Sequence, residues 1–180
     1  MWKSFFYLYE PIENQCSGFF LQSRKIFFMA NLFGEFPCTI DTKGRIMLPK
    51  GLKKQLGKSV KTLVVKRGFE NCLILYPKQE WDIIAAKVNK LSDFVKNNRT
   101  FKRYYFQGAT ELAPDGNARI LIPKSLQEHA GLKNGVVLFA YSNQIEIWSA
   151  AEYGSLLKNE PKDFSDLAEK VMGEHKEGDE

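Results

Sequence analysis

Apolar residues in this chain cluster in short β-rich runs, interrupted by two kinds of helical spacing. Phe36 to Ile40 reads as a short strand that ends at a turn beginning with Asp41, and Ile46 to Leu48 starts a second. Pro49 then stops ladder formation, and Leu52 and Leu56 lie one helical turn apart before Gly57. This predicts a short helix over residues 50–56 with its lysines outward. Thr62 to Val65 and Cys72 to Tyr76 are β-rich runs joined by Arg67-Gly68-Phe69-Glu70-Asn71, a hairpin pattern in which Leu73 and Leu75 alternate inward. Trp81, Ile84, Val88, Leu91 and Val95 recur at helical spacing and predict one apolar stripe with lysines opposite. Val136 to Ala140 and Ile145 to Trp148 form a second hairpin pattern, and 150–157 and 164–171 are weaker helical segments. The last eight residues, from Gly173, read as a polar tail.

The two halves follow one plan. Asp41-Thr42-Lys43-Gly44-Arg45-Ile46-Met47-Leu48-Pro49 returns 74 positions later as Asp115-Gly116-Asn117-Ala118-Arg119-Ile120-Leu121-Ile122-Pro123. Lys50, Leu52 and Gly57 match Lys124, Leu126 and Gly131. After a two-residue contraction, Asn71, Leu73, Leu75 and Tyr76 match Asn143, Ile145, Ile147 and Trp148. Residues 34–81 and 108–155 are therefore two copies of one β-rich unit, joined by a helical connector over 82–107 and followed by a helix and acidic tail over 156–180. Two copies are too few for a solenoid, so they are expected to pair around a shared core, giving an α+β, mainly β, architecture. A length of 180 residues with 44% hydrophobic content fits one compact domain or two mutually dependent halves. Residues 1–33 form a phenylalanine-rich N-terminal extension that fits this plan poorly, and Met29 is expected to be the natural start.

The net charge of +5 is unevenly spread. Residues 34–81 carry +6 and 82–107 carry +4, whereas 108–155 carry −2 and 156–180 carry −4. Such segregation points to a polyanionic partner for the first half, most often nucleic acid. Cys16, Cys38 and Cys72 are odd in number and widely spaced, which argues against a disulfide framework or a zinc site and for a reducing compartment. No uncharged run approaches the roughly 20 residues a membrane helix needs. His129 and His175 lie apart, and no nucleophile–base pairing, phosphate-cradling glycine loop or metal-ligand cluster is visible. The sequence asks for no catalysis, metal, cofactor or small-molecule substrate.

The D-x-x-x-R block has useful chemistry at a turn. An aspartate there accepts hydrogen bonds from backbone N–H groups ahead of it, and Gly44 supplies conformational freedom. Arg45 then emerges from a rigid element, able to fork onto phosphate oxygens or onto guanine O6 and N7. Thr42 and Lys43 on the turn, with Lys50, Lys53 and Lys54 close by in sequence, would add phosphate contacts. From the residues alone a second reading stays open, in which Asp41 and Arg45 form an internal pair that only stiffens the loop. In the second copy Asn117 replaces the lysine and Ser125, Gln127 and Glu128 replace basic or neutral neighbours. Arg45 is accordingly expected to be the main reader, with Asp41, Gly44, Asp115 and Arg119 auxiliary or structural.

With its two D-x-x-x-R blocks, each followed by an apolar-Pro-x-x-Leu stretch, the chain resembles the MraZ family of bacterial transcriptional regulators. Leu73-x-Leu-Tyr-Pro-x-x-x-Trp81 and His129-Ala130-Gly131-Leu132 add to the match, which covers about residues 30–160. The resemblance implies two AbrB-like (SpoVT-type) units packed as a pseudo-dimeric barrel with flanking helices. It implies chains assembled into a homo-oligomeric ring, and binding to short repeats of double-stranded DNA in the promoter of the division and cell-wall gene cluster. In such a family the first block's arginine is tied to DNA, which falls here on Arg45, and the expected location is cytoplasmic and nucleoid-associated. The competing reading is an AbrB-type antitoxin or other interaction module. Antitoxins of that type commonly pair one unit with a long arm, whereas this chain has two units and a short tail.

Overall fold

A computed structural model describes residues 31–57, 61–158 and 163–174. The expected start at Met29 and most of the polar tail lie outside the described residues. The first half contributes β1 (Leu32–Thr39), β2 (Arg45–Met47), α1 (Lys50–Leu56), β3 (Leu63–Arg67), β4 (Leu73–Pro77) and α2 (Lys78–Asn89). Then come α3 (Lys96–Phe106), β5 (Thr110–Leu112), β6 (Arg119–Leu121), α4 (Lys124–His129), β7 (Gly135–Ser142), β8 (Gln144–Ser149), α5 (Ala150–Lys158) and α6 (Phe164–Glu174).

The halves exchange strands. A six-stranded antiparallel sheet runs β1-β7-β8-β4-β3-β5, and β2 and β6 form a separate two-stranded ribbon. Thus β1 of the first half lies on the hairpin of the second, and β5 of the second lies on the hairpin of the first. Where the halves meet, the register is symmetric under the sequence repeat. In the ribbon Ile46 faces Ile120, while Arg45 faces Leu121 and Met47 faces Arg119. In the sheet Ile74 faces Glu146, flanked by Leu73 opposite Ile147 and Leu75 opposite Ile145. Each pairing maps onto itself when the two copies are swapped, so an internal twofold axis passes through both.

Strand alternation sorts the side chains into two layers. Leu63, Val65, Leu73, Leu75, Val136, Leu138, Ile145 and Ile147 face one core, joined by Ile46 and Ile120 of the ribbon and by Leu52 and Leu126 of α1 and α4. The other sheet face carries Val64, Ile74 and Tyr76 against Trp81 of α2 with Tyr105 and Phe106 of α3, and Trp148 against Tyr153 of α5. Covering on both faces explains why β4 is buried at every position and reads in sequence as an unbroken apolar run.

The helical stripe after the first unit is shorter than its spacing predicts. The helix stops at Asn89, and Leu91 and Val95 are exposed rather than packed. Ser92 and Asp93 account for the break, because such side chains compete with helix for backbone hydrogen bonds. The Ser92 hydroxyl accepts from the Phe94 N–H, and the Ser92 and Asp93 carbonyls accept from the Asn98 amide and the Arg99 guanidinium. A new helix, α3, then begins at Lys96. Cys72, just before β4, is buried beside Trp148 and Tyr153, and burial pushes its thiol up to about 12. Cys38 is half-buried and raised by burial to about 11, so neither thiol is ionised near neutrality.

Candidate nucleic-acid interface

Each D-x-x-x-R block folds into the same hydrogen-bonded turn. One oxygen of Asp41 (Oδ1) accepts from the N–H groups of Lys43 and Arg45, both at 2.9 Å. The other oxygen (Oδ2) accepts from Nε and Nη2 of Arg45, at 2.8 and 2.7 Å. Asp115 repeats this set with Asn117 and Arg119 at the same distances. The Asp–Arg pair that the sequence left as a second reading is therefore present in both loops. It does not remove the arginine from use. A guanidinium has five N–H donors, and the aspartate takes two. Arg45 and Arg119 remain 29% and 28% exposed, so their remaining donors are within reach of a partner.

The two loops are clasped to one another. Leu48 N–H donates to the carbonyl of Ala118, and Ile122 N–H donates to the carbonyl of Gly44. Gly44 has φ +79° and is buried against Gln127 of α4, whose amide a Cβ would overlap. Its counterpart, Ala118, adopts φ +58° although it has a side chain, a conformation costing roughly 1–2 kcal/mol outside glycine. Gly116, the small residue of the second block, does not hold this place. The left-handed position is the fourth of the block in both copies.

Period-two alternation about Ile46 and Ile120, both fully buried, turns Arg45, Met47, Arg119 and Leu121 to the opposite, outward face of the ribbon. Met47 and Leu121 are 57% and 55% exposed, and they complete a twofold-related patch of two arginines and two apolar side chains. Residue type alone did not single them out. The signal that could have done so is their place one position beyond a buried isoleucine. Thr42 and Lys43 lie exposed on the first turn, whereas Lys50, Lys53 and Lys54 lie on the solvent face of α1. Lys53 and Lys54 occupy the last turn of that helix, where positive charge also suits its terminal carbonyls. The geometry brings Asp41, Gly44, Arg45, Asp115 and Arg119 together, and nothing in it separates Arg45 from Arg119. The copies differ in the residues around the arginines, among them Thr42, Lys43 and Gly44 against Gly116, Asn117 and Ala118.

Both aspartates are held below the usual carboxylate range. For Asp41 the main cause is the Arg45 backbone N–H, followed by the guanidinium. For Asp115 it is the Arg119 side chain, followed by its N–H, and the value falls to about 2. A carboxylate depressed in the folded state contributes its full stabilisation above its unfolded value near 4, and loses it as pH falls through the folded value. The Asp115 loop should therefore unlock in the window from about pH 4 down to about 2, and the Asp41 loop should likewise unlock on acidification below the usual carboxylate range. Amide chemical shifts of Lys43 and Asn117 followed through an acid titration check this. Asp115→Asn should remove the Asn117 transition while leaving that of Lys43, and an Asn117 transition near pH 6 would contradict the assignment.

Among the described residues no group of three metal-ligating side chains converges, and no helix is long and apolar enough to cross a membrane. The strand exchange, the twofold ribbon and its paired arginines define a class, that of tandem, internally symmetric β-rich proteins whose loops display basic side chains from a rigid base. Comparison with known proteins narrows it. The family model described as "MraZ protein, putative antitoxin-like" matches twice, over residues 32–104 and 105–174. A protein of Christiangramia forsetii called transcriptional regulator MraZ is 43% identical over 147 residues, covering 81% of this chain and 95% of that protein. Proteins of the same name from Flavobacterium psychrophilum and Pediococcus pentosaceus are 43% and 37% identical, covering 81% and 77% of this chain and 94% and 95% of theirs. The chain belongs to the MraZ family.

Proposed function

We propose that this protein is a non-catalytic, sequence-specific DNA-binding regulator of transcription, and that the outward face of the β2–β6 ribbon is its reading surface. The observation that carries the reading is the pair of partly exposed, aspartate-braced arginines on one twofold face. Preorganised guanidiniums lose little freedom on meeting guanine edges or phosphates. Thr42 and Lys43, with Lys50, Lys53 and Lys54, supply phosphate contacts around the first loop, which makes Arg45 the leading reader and Arg119 its partner.

One such face offers few contacts, so a single chain binds weakly. A homo-oligomeric ring that spans successive promoter repeats converts later contacts into effectively intramolecular ones. Support for self-association comes from α6, where Phe164, Leu167, Val171 and Met172 are exposed on a helix that also carries Asp166 and Glu169. The charge of this segment complements the basic, acid-free α3 (Lys96–Phe106). The proposed target is the promoter of the division and cell-wall genes, a reading that the family resemblance supports, with the protein on the nucleoid in the cytoplasm. An antitoxin-type module would share the fold but would not need the ribbon face for its partner.

A gel shift with DNA from upstream of the chain's own gene tests this. Arg45→Ala should weaken binding by about tenfold or more, since one such contact is worth roughly 1–3 kcal/mol. Arg119→Ala should weaken it less, and circular dichroism should show both variants folded. Affinity of the wild type should fall steeply with salt. Unchanged affinity in Arg45→Ala, or a flat salt response, would overturn the reading.

A further inference from the structure

The internal twofold is broken at one place away from the ribbon. In the first half Gln55 of α1 seals the start of β1, its side chain accepting from the Phe33 N–H at 2.9 Å and donating to the Phe33 carbonyl at 3.0 Å. The repeat puts His129 of α4 where Gln55 stands and Gln107 where Phe33 stands. No corresponding seal forms, and His129 Nε2 is buried without a hydrogen-bond partner. The strand pairings make Lys66 and Arg67 the counterparts of Phe139 and Ala140. The change of residue thus brings two cations to the broken position, and Arg67 Nε is likewise buried and unpartnered. Buried polar atoms in native proteins are nearly always satisfied, so two orphans in one place require an explanation.

The residues that carry them line a cavity of about 360 Å³, together with Lys66, Phe69, Phe101 and Tyr104 among others, and with no carboxylate among the described residues. The Lys66 ammonium donates to the Arg67 carbonyl at 2.7 Å and lies 4.4 and 5.3 Å from the ring centres of Tyr105 and Phe69. The nitrogen thus sits beside the aromatic wall, where burial lowers its basicity. Phe69 and Tyr104 are 76% and 71% exposed, leaving ring faces open at the mouth. Convergent donors on one side and flat apolar surface on the other form the usual anatomy of a small-molecule site.

We propose that this cavity binds a small anion borne on a flat ring. The Arg67 guanidinium and the His129 imidazole hold the anionic group, Lys66 stands at the floor, and the rings of Phe69 and Tyr104 stack on the ligand. A phosphate and a carboxylate both meet this description. Burial, and then the Arg67 charge, lower the basicity of His129. The site does not depend on the ribbon, so it can stand or fall apart from the DNA reading.

Calorimetry and thermal shift on the full chain, with adenosine 5′-monophosphate and with benzoate, provide the test. Saturable binding of either supports the site, and which of the two binds tells phosphate from carboxylate. Adenosine and ribose 5-phosphate, each carrying half of the recognised chemistry, should bind at least tenfold more weakly than adenosine 5′-monophosphate. His129→Gln gives this half the residue its twin already carries, and Tyr104→Ala removes a mostly exposed ring, so both should fold. Each should weaken binding about tenfold with little change in unliganded melting temperature, whereas Arg45→Ala should bind as wild type does. No saturable binding of either ring-bearing anion would overturn the proposal. So would affinity unchanged in both cavity variants, or lost in Arg45→Ala instead.

Discussion

Cleaved in the exposed loop at Leu91–Val95 and then separated in denaturant, the two pieces of this chain should each fail to fold as monomers, and should regain the native fold when mixed. The strand exchange requires it. Without the second piece, β1 loses its sheet partner among the described residues, β7, and the ribbon loses β6. The hairpin β3–β4 also loses β5 on one edge and β8 on the other. A two-stranded hairpin with an unpaired helix falls short of independent stability. Since Ile46 pairs with its own counterpart, the first piece can mimic the missing half only by pairing with another copy of itself, at high concentration. Size-exclusion chromatography and far-ultraviolet circular dichroism of the pieces, alone and mixed, measure this. A folded, monomeric first piece would show that the halves are independent.

The second large effect is expected at the twofold axis of the ribbon. Ile46 and Ile120 are fully buried and face each other, so either isoleucine cut back to alanine leaves a cavity that the small ribbon cannot close. A loss of about 2–5 kcal/mol is expected for each, against a total stability on the order of 5–15 kcal/mol. That corresponds to a fall in melting temperature on the order of 10 °C for a chain of this size. Because the two side chains share one contact, the double variant should depart from additivity. Met47→Ala, one residue away but outward, should stay within roughly 0.5 kcal/mol. Chemical denaturation of the four proteins decides the matter. Equal losses at Ile46 and Met47 would mean that the ribbon faces are wrongly assigned.

Much of this was legible in the order of residues, and the reasons differ from element to element. The duplicated block located both turns and their Asp–Arg chemistry, because an Asx-type turn is a local structure set by four or five residues. The helix at 50–56 followed from Pro49, the Leu52–Leu56 spacing and Gly57. What periodicity could not convey is which strand lies beside which. The two copies were expected to pair around one core, but the exchange of β1 and β5 between hairpins is a non-local choice with no signature in either segment. The stripe through Leu91 and Val95 misled for a related reason, since apolar spacing persists past Asn89 while Ser92 and Asp93 redirect the backbone. Met47 and Leu121 carry no recognisable motif. Their outward direction is fixed only by the burial of their neighbours. The unequal roles expected of Arg45 and Arg119 rest on surrounding charge, and the loop geometry, nearly identical in the two copies, adds nothing to that distinction.

The covalent link between the interlaced halves has a consequence for what dilution and mutation can do. A protein assembled from two identical separate subunits falls apart when scarce, and every substitution appears twice. Here the connector holds the partners at a constant effective concentration. A change such as lysine for asparagine at position 43 or 117 alters one side of the axis only. Fusion therefore lets the two sides of the motif diverge, where unlinked identical copies would be bound to perfect symmetry.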